Sequence, residues 1–578
     1  MSSYITELES RVQYLESIVK HERPDLSLDT EALRQYYYAN LADSPGSTNE
    51  AKFQAVSNVC SEDCELEPRD HHTAHYSGEF SYWAFSMKVK RHAQARGFAN
   101  KSPRSDMVPS RWRPLRQQQS AQVIRTAIAK LPPRFVASYL SRVFFAYAQK
   151  NFFFVEKEWF DITYQDPGDP RVLDASKMCI IFAVLATATQ YAHMDSPSSS
   201  SKRPSGEGDV GNSFYERALR LLPEVIQSAS LESVQAVAIL GFYAQPLDGP
   251  GLSYVYFSLA TRLAIQNGVH RRYSGRKMPP VTIETRNRVW WTVYSIEKSI
   301  AIFHGRPPSI LRSDVDADLP RIAPDVIPDD GPLHIGRMVI WIKLIEYLGI
   351  FLEQILALRK KSPTADAGLA VFQLAAMKAE MKAYWDTIPC ETFDEDSINN
   401  RQAARSSVHL RLLYCLIRMS GNTAIIQPSG SGVSPAQAEP YEMTDDGSGI
   451  MSASEHSLVE DSIDAAREAV ALCWGLYKGE DGLSKGSFIE HNSCRASLLV
   501  LIAYSIQNRD ATFRSLVQQG LQMVRHLSDM CDLAREETSL LEDLNEALTY
   551  LVPFEATNGE PDHELSRHIS GGKLCRNG

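Results

Sequence analysis

Apolar residues recur along most of the chain three and four positions apart, the spacing of one face of an α-helix. No stretch sustains the strict apolar/polar alternation of a half-buried strand. The first such face is Ile5, Leu8, Val12, Leu15 and Val19, spaced 3, 4, 3, 4, with Glu7, Glu9, Arg11, Glu16 and Lys20 around it. That is an a/d seam. Ser3 is placed to cap this helix and Pro24 to close it. Two readings compete for it: a coiled-coil dimer contact, or an amphipathic helix laid on its own domain, because about two and a half heptads are marginal alone.

Further on, Pro132-Pro133 opens a helix with Val136, Leu140, Val143, Phe144 and Tyr147 on one face. Residues 171–194 are apolar nearly all round, which predicts a fully buried helix. Helices follow at 214–228 and 231–244, the second with Ser230 as N-cap and Glu232 and Ser233 in its first turn. At 284–304, Val289, Val293, Ile296, Ile300 and Phe303 form a stripe spaced 4, 3, 4, 3. Trp290 and Trp291 point about 100° apart on that helix; one is expected in the core, the other walling a cavity or a neighbouring helix. Long helices return at about 333–360, 366–386, 400–426, 457–477, 488–507, 510–532 and 535–551. The fold class this predicts is all-α, a large helical bundle or array with a short N-terminal coiled-coil helix and disordered loops.

Polar, Gly-, Ser- and Pro-rich stretches divide it. The layout is a dimerisation helix at 1–23, a linker with a basic segment at 24–110, a main domain at 111–430, a flexible acidic and Ser/Gly loop at 431–456, helices packing on the same body at 457–553, and a disordered tail at 554–578. Within the linker, Tyr82, Trp83, Phe85, Met87 and Val89 read as a short buried strand or turn of helix.

Composition adds limits. The 578 residues are 44% hydrophobic and 22% charged, ample for a sizeable core. A net charge of −10 argues against coating nucleic acid by bulk charge. One local basic run stands out: Lys88, Lys90, Arg91, Arg96, Lys101, Arg104, Arg111, Arg113 and Arg116. It reads as a nuclear-import or phosphate-contacting segment, or as a solvated charged face. The nine cysteines, Cys60, Cys64, Cys179, Cys390, Cys415, Cys473, Cys494, Cys531 and Cys575, are scattered and suit buried thiols in a reducing compartment. No secretory signal and no membrane span are expected.

Candidate chemistry is sparse. Cys60, Cys64, His71, His72 and His75 follow C-x3-C-x6-H-H-x2-H, a spacing that matches no well-defined structural zinc site, and the segment reads as a solvated linker. His270, Glu284, His304 and Asp314 lie close in sequence, but there is no G-x-S-x-G, H-E-x-x-H, P-loop or G-x-G-x-x-G. No enzyme, no catalytic residue and no metal ligand is expected.

The stretch Arg262–Pro320 carries a resemblance. Ala264 to His270 with Arg271, then Arg286 and Arg288 with Trp290-Trp291, then Gly305-Arg306-Pro307, then Asp314 and Asp316 up to Pro320 occur in that order. Tyr215-Glu216-Arg217-Ala218 precedes them, and Trp385 with Ile388-Pro389 follows. Over roughly residues 76–430 the chain resembles the middle homology region of fungal zinc-cluster transcription factors, more narrowly the regulatory domain of the xylanolytic-activator group. The resemblance implies a nuclear transcription regulator, a homo- or heterodimer through Ile5, Leu8, Val12, Leu15 and Val19, and a possible small-molecule effector. It also implies DNA binding by a six-cysteine zinc cluster, the only cofactor expected. This sequence holds no Cys-x2-Cys-x6-Cys half. Either the cluster lies upstream of Met1, or the chain is a clusterless regulator that pairs with a partner. The alternative is a helical small-molecule-binding or scaffold protein without a DNA role.

Within the motif, the expected structural set is Trp290, Trp291, Gly305, Arg306, Pro307, Asp314, Asp316 and Pro320. Arg306 is expected to pin the aspartate ladder Asp314, Asp316 and Asp318 by bidentate pairing.

Overall fold

The computed structural model describes residues 65–68, 73–78, 117–165, 174–195, 207–247, 251–275, 278–323, 332–360, 366–393, 401–420, 448–528 and 532–551, with single positions between 81 and 89. By its contacts the chain divides into Met1–Asp63 and Cys64–Gly578. The first unit lies outside the described residues. So do the seam Ile5, Leu8, Val12, Leu15 and Val19 and, further along, most of the basic run.

Two short strands come first. β1 (Glu65–Pro68) and β2 (Ala74–Ser77) pair antiparallel, with Leu66 opposite Tyr76. This hairpin corrects the reading of that stretch as a solvated linker; four residues per strand are too few to show an alternation. Tyr82 is 92%, Phe85 63% and Val89 51% exposed, so these three, expected there as buried, are not; Trp83 lies outside the described residues.

The rest is helical. α1 (Gln117–Ile128) precedes α2 (Arg134–Val143), which starts after Pro133 and runs into a π-turn at Phe144–Ala148. α3 (Lys157–Gln165) and α4 (Ala175–Thr189) follow, the latter capped by Asp174, whose side chain accepts the Lys177 N–H. The helix expected at 214–228 is broken into α5 (Glu207–Leu219) and α6 (Leu222–Ser228), because Pro223 sits in the first turn of α6 with no N–H to continue α5. α7 (Leu231–Ala244) begins with a capping box in which Ser230 and Ser233 satisfy each other's backbone N–H.

Then come α8 (Leu252–Gln266), α9 (Pro280–Phe303), α10 (Pro332–Lys360), α11 (Asp366–Thr387) and α12 (Arg401–Met419). α13 (Ser448–Lys478), α14 (Phe488–Asn508), α15 (Arg514–Ser528) and α16 (Asp532–Leu551) complete the chain. α13 starts inside the stretch read as a loop to residue 456, and α12 ends well before residue 426.

The fold is all-α, as the periodicity predicts. α4 and α7 form its centre. Every residue of α7 is buried, and so are all but two of α4, Lys177 and Thr189. Helices with no polar face must be covered on all sides. α4 packs on α5 and α7; α7 packs on α8, α8 on α9 and α9 on α10. A second group, α12 to α16, packs in sequence and reaches back through α12 to α10. No described helix is long and apolar enough to cross a membrane.

Candidate functional site

The motif stretch builds one turn and one strap. α8 ends at Asn267, and Gly268 takes φ +63, which lets Val269 N–H reach Ala264 O at 2.9 Å. That left-handed residue is the usual way to stop a helix. Buried Asn267 accepts the Ala74 N–H on Oδ1 at 3.1 Å and donates from Nδ2 to Ala229 O and Leu263 O. Arg286 Nη2 donates to the Asn267 carbonyl at 2.6 Å. His270 follows, its ring edge-on to Tyr76 at 4.7 Å and 5.9 Å from Trp290. Burial, with Arg271 and Arg286 close by, lowers its pKa to about 3, so the imidazole is neutral.

The strap after α9 runs back antiparallel to that helix. Asp316 and Ala317 N–H both donate to His270 O at 3.2 Å, and Trp291 Nε1 donates to Asp318 O at 2.9 Å. Arg288 pairs with Glu284 at 2.6 Å and holds Arg321 O at 2.9 Å. Both tryptophans are core residues, Trp290 at 0% and Trp291 at 1% exposure. Neither walls an open cavity, because the strap covers Trp291.

Arg306 is not the pin of the aspartate ladder. Asp316 takes the Arg272 N–H at 2.9 Å and faces Arg271 at 4.0 Å, while Asp318 pairs with Arg272 at 2.9 Å and Arg321 at 3.5 Å. Asp314 lies on the exposed 3-10 turn Arg312–Asp314. The Arg306 guanidinium lies 4.8 Å from the Tyr254 ring centre, and Tyr254 OH donates to Pro307 O at 3.1 Å. Gly305, at φ +67, and Arg306 N–H, bonded to Ala301 O at 2.7 Å, close α9. Sequence distance misleads here: the strap doubles back and carries its acids to the arginines at the start of the stretch.

The four groups that lie close in sequence are parted. Glu284 holds Arg288 and the Arg321 N–H, and Asp314 is exposed. His304 sits 5.9 Å from Phe488, its pKa lowered to about 4 by burial, Arg495 and Arg306. Among the described residues no group of three His, Cys, Asp or Glu side chains is placed to hold a metal. Cys60, Cys64, His71 and His72 lie outside those residues, and His75 is in β2 opposite Glu67.

Two spaces remain. An interior cavity of about 50 Å³ lies where α9, α10, α12 and the start of α14 meet, walled by Phe152, Phe242 and Trp341. A water needs about 10–15 Å³, so this space takes a few waters. Behind it is a buried ion cluster that sequence reasoning missed. Glu490, fully buried, accepts Arg405 Nε at 2.9 Å, Arg405 Nη2 at 2.8 Å and Ser484 N–H at 2.8 Å, with His409 Nε2 at 2.6 Å. Burial alone raises its pKa, but Arg405, His409 and the Ser484 N–H outweigh that and hold it at about 2.

The second space is a surface groove of about 530 Å³ between α1 and the α5–α6 junction. Val123, Ala127 and Leu221 line it together with Lys130, Arg217, Arg220 and Glu224. Small-molecule sites run from about 300 to 1,000 Å³, and the groove falls within that range.

The described body is helical and carries a ligand-sized groove. Residues 142–361 match the fungal specific transcription factor domain. It is 27% identical over 399 residues to an uncharacterized transcriptional regulatory protein of Schizosaccharomyces pombe, covering 67% of this chain and 47% of that one. It is 22% identical over 431 residues to the thiamine repressible genes regulatory protein thi1 of the same organism, covering 74% and 52%. It is 24% identical over 238 residues to cutinase transcription factor 1 alpha of Fusarium vanettenii, covering 39% and 25%. The chain spans about half the length of the first two relatives.

Proposed function

We propose that this chain is the dimerising, effector-responsive body of a nuclear transcription regulator, without enzymatic activity. The match of residues 142–361 to the fungal specific transcription factor domain carries the reading. Ile5, Leu8, Val12, Leu15 and Val19 join two copies or a copy and a partner, and DNA is contacted through a six-cysteine zinc cluster on a longer chain or on that partner. The groove between α1 and the α5–α6 junction is the effector site. Three cations against one carboxylate around an apolar floor suit a small, anionic, amphipathic molecule. Such a ligand regulates by binding one state of the body better than another.

The test is a reporter driven by the full chain fused to a foreign DNA-binding module. Thr126 is exposed on the groove wall, so Thr126→Trp fills the groove without disturbing the core. The reporter level is expected to shift at least threefold at equal protein abundance. A wild-type chain with no effect on the reporter removes the regulator reading. A variant indistinguishable from an active wild type removes the groove.

A further inference from the structure

The interior cavity where α9, α10, α12 and the start of α14 meet is bordered by two polar atoms that the protein leaves without a partner. Trp341, on α10, is 5% exposed, and its Nε1–H meets no acceptor. Asn151 is 4% exposed; its Nδ2 is spent on Ser406 O of α12, and its Oδ1 meets no donor. Both side chains line the cavity. Both are also held in place. The Trp341 and Phe152 rings meet edge to face with centres 5.0 Å apart, and the bond to Ser406 fixes the Asn151 carboxamide. Buried polar groups are almost always satisfied, and one left bare costs free energy that an occupant restores. A bare donor and a bare acceptor on one wall call for a molecule that both accepts and donates.

Size and charge narrow the class. At about 10–15 Å³ for each water, the space of about 50 Å³ admits about three to five non-hydrogen atoms. The two basic side chains on the wall are already engaged, His409 on Glu490 at 2.6 Å and Lys150 as well. A charged occupant would lose its hydration and find no spare counter-charge. Much of the remaining wall is apolar, with Phe152, Phe242, Leu413 and Phe488. Phe242 is on α7, Leu413 on α12, and Phe488 opens α14, so an occupant touches both groups of helices.

We propose that this cavity is a small-molecule site in its own right, which takes an uncharged molecule of the primary-amide or urea class. The carbonyl of that molecule accepts from Trp341 Nε1, and its N–H donates to Asn151 Oδ1. Because the site spans the joint between the two groups of helices, its occupation favours the docked arrangement of the two. The surface groove and its reading as an effector site play no part in this.

Acetamide and acetone test it on the full chain. Acetamide has the size and both hydrogen-bonding groups; acetone has the same shape and the carbonyl but no N–H. In NMR spectra the Trp341 indole N–H signal, identified by its loss in Trp341→Phe, should move on titration with acetamide and saturate. Half-saturation is expected below about 100 mM, weak because so few atoms contribute. Acetone should bind at least tenfold more weakly, since it leaves Asn151 Oδ1 bare. Trp341→Phe keeps an aromatic wall and removes the donor, and should lower the acetamide affinity at least fivefold, read from the ligand's own signals. The comparison of acetamide with acetone needs no variant and stands even if Trp341→Phe fails to fold. A Trp341 signal that does not saturate, acetone that binds as tightly as acetamide, or a folded Trp341→Phe with wild-type affinity overturns the proposal and leaves the cavity to water alone.

Discussion

Glu490→Ala is expected to cost about 3–5 kcal/mol, the range for removing one partner of a buried ion pair. The reason is what remains. Arg405 is buried, and its Nε and one Nη lose their carboxylate at once, leaving Nη2 only Gly482 O at 3.0 Å. His409 and the Ser484 N–H lose an acceptor at the same time. Glu490→Gln keeps the shape but not the charge and should fall between the two. The same carboxylate makes stability depend on pH. Its folded pKa of about 2 lies below the ordinary 4.5. The stabilisation is therefore complete above pH 4.5 and is lost as pH falls towards 2, a difference worth roughly 3 kcal/mol. His270 and His304, held neutral below their ordinary 6.5, act in the same direction: the unfolded chain binds protons that the folded one refuses until about pH 3 to 4. Urea titrations from pH 7 to 3 should show the acid slope flatten below pH 4.5 in Glu490→Gln. A slope equal to wild type would mean that Glu490 is not held ionised.

Trp291→Ala should cost a similar amount, about 3–5 kcal/mol, from the cavity left by an indole. Its particular consequence is on the strap. Trp291 Nε1 is the donor to Asp318 O, and the Arg312 guanidinium lies 5.5 Å from the ring centre while pairing with Glu346 at 2.6 Å. Removing the ring takes away the surface on which residues 312–318 lie. Trp291→Phe keeps much of that surface and loses only the N–H, so it should cost about 1–2 kcal/mol. Proteolysis at Arg312 should accelerate in Trp291→Ala much more than in Trp291→Phe. Equal acceleration would show that the hydrogen bond, and not packing, holds the strap.

The helices were legible because each needs an apolar face and repeats it over several turns. α4 announced its burial by having no polar face at all, whereas α7, read only as a helix at 231–244, is buried all round with Glu232 and Gln235 included. The hairpin was not legible: β1 and β2 are too short for a period, and their order comes from Asn267 and Gly268 almost two hundred positions away. One tryptophan was expected in the core and the other against a cavity or a neighbouring helix, and both proved to be core; the partners of the aspartates depended on the strap turning back, which no local pattern records. Glu490 stands in the first turn after the Ser487 cap, where a carboxylate is common. Arg405, 85 positions earlier, gives it a different role, and nothing in the spacing links the two. The resemblance implied a small-molecule effector but no place for it, because the groove forms between helices far apart in sequence.

The joints between the two groups of helices bear on where this domain ends. Asn151 Nδ2 donates to Ser406 O at 3.1 Å, and Tyr191 OH donates to Gly486 O at 2.7 Å. A Cβ at Gly486 would come within 2.6 Å of the Tyr191 ring, so the two segments touch with no room for a side chain between them. Both donors lie within residues 142–361, and both acceptors lie beyond it. The stretch that is recognisable by family therefore stops partway through a continuous interior. Recognition follows the residues that relatives share, while folding follows the surfaces that must be covered, and in this protein the second boundary extends well past the first.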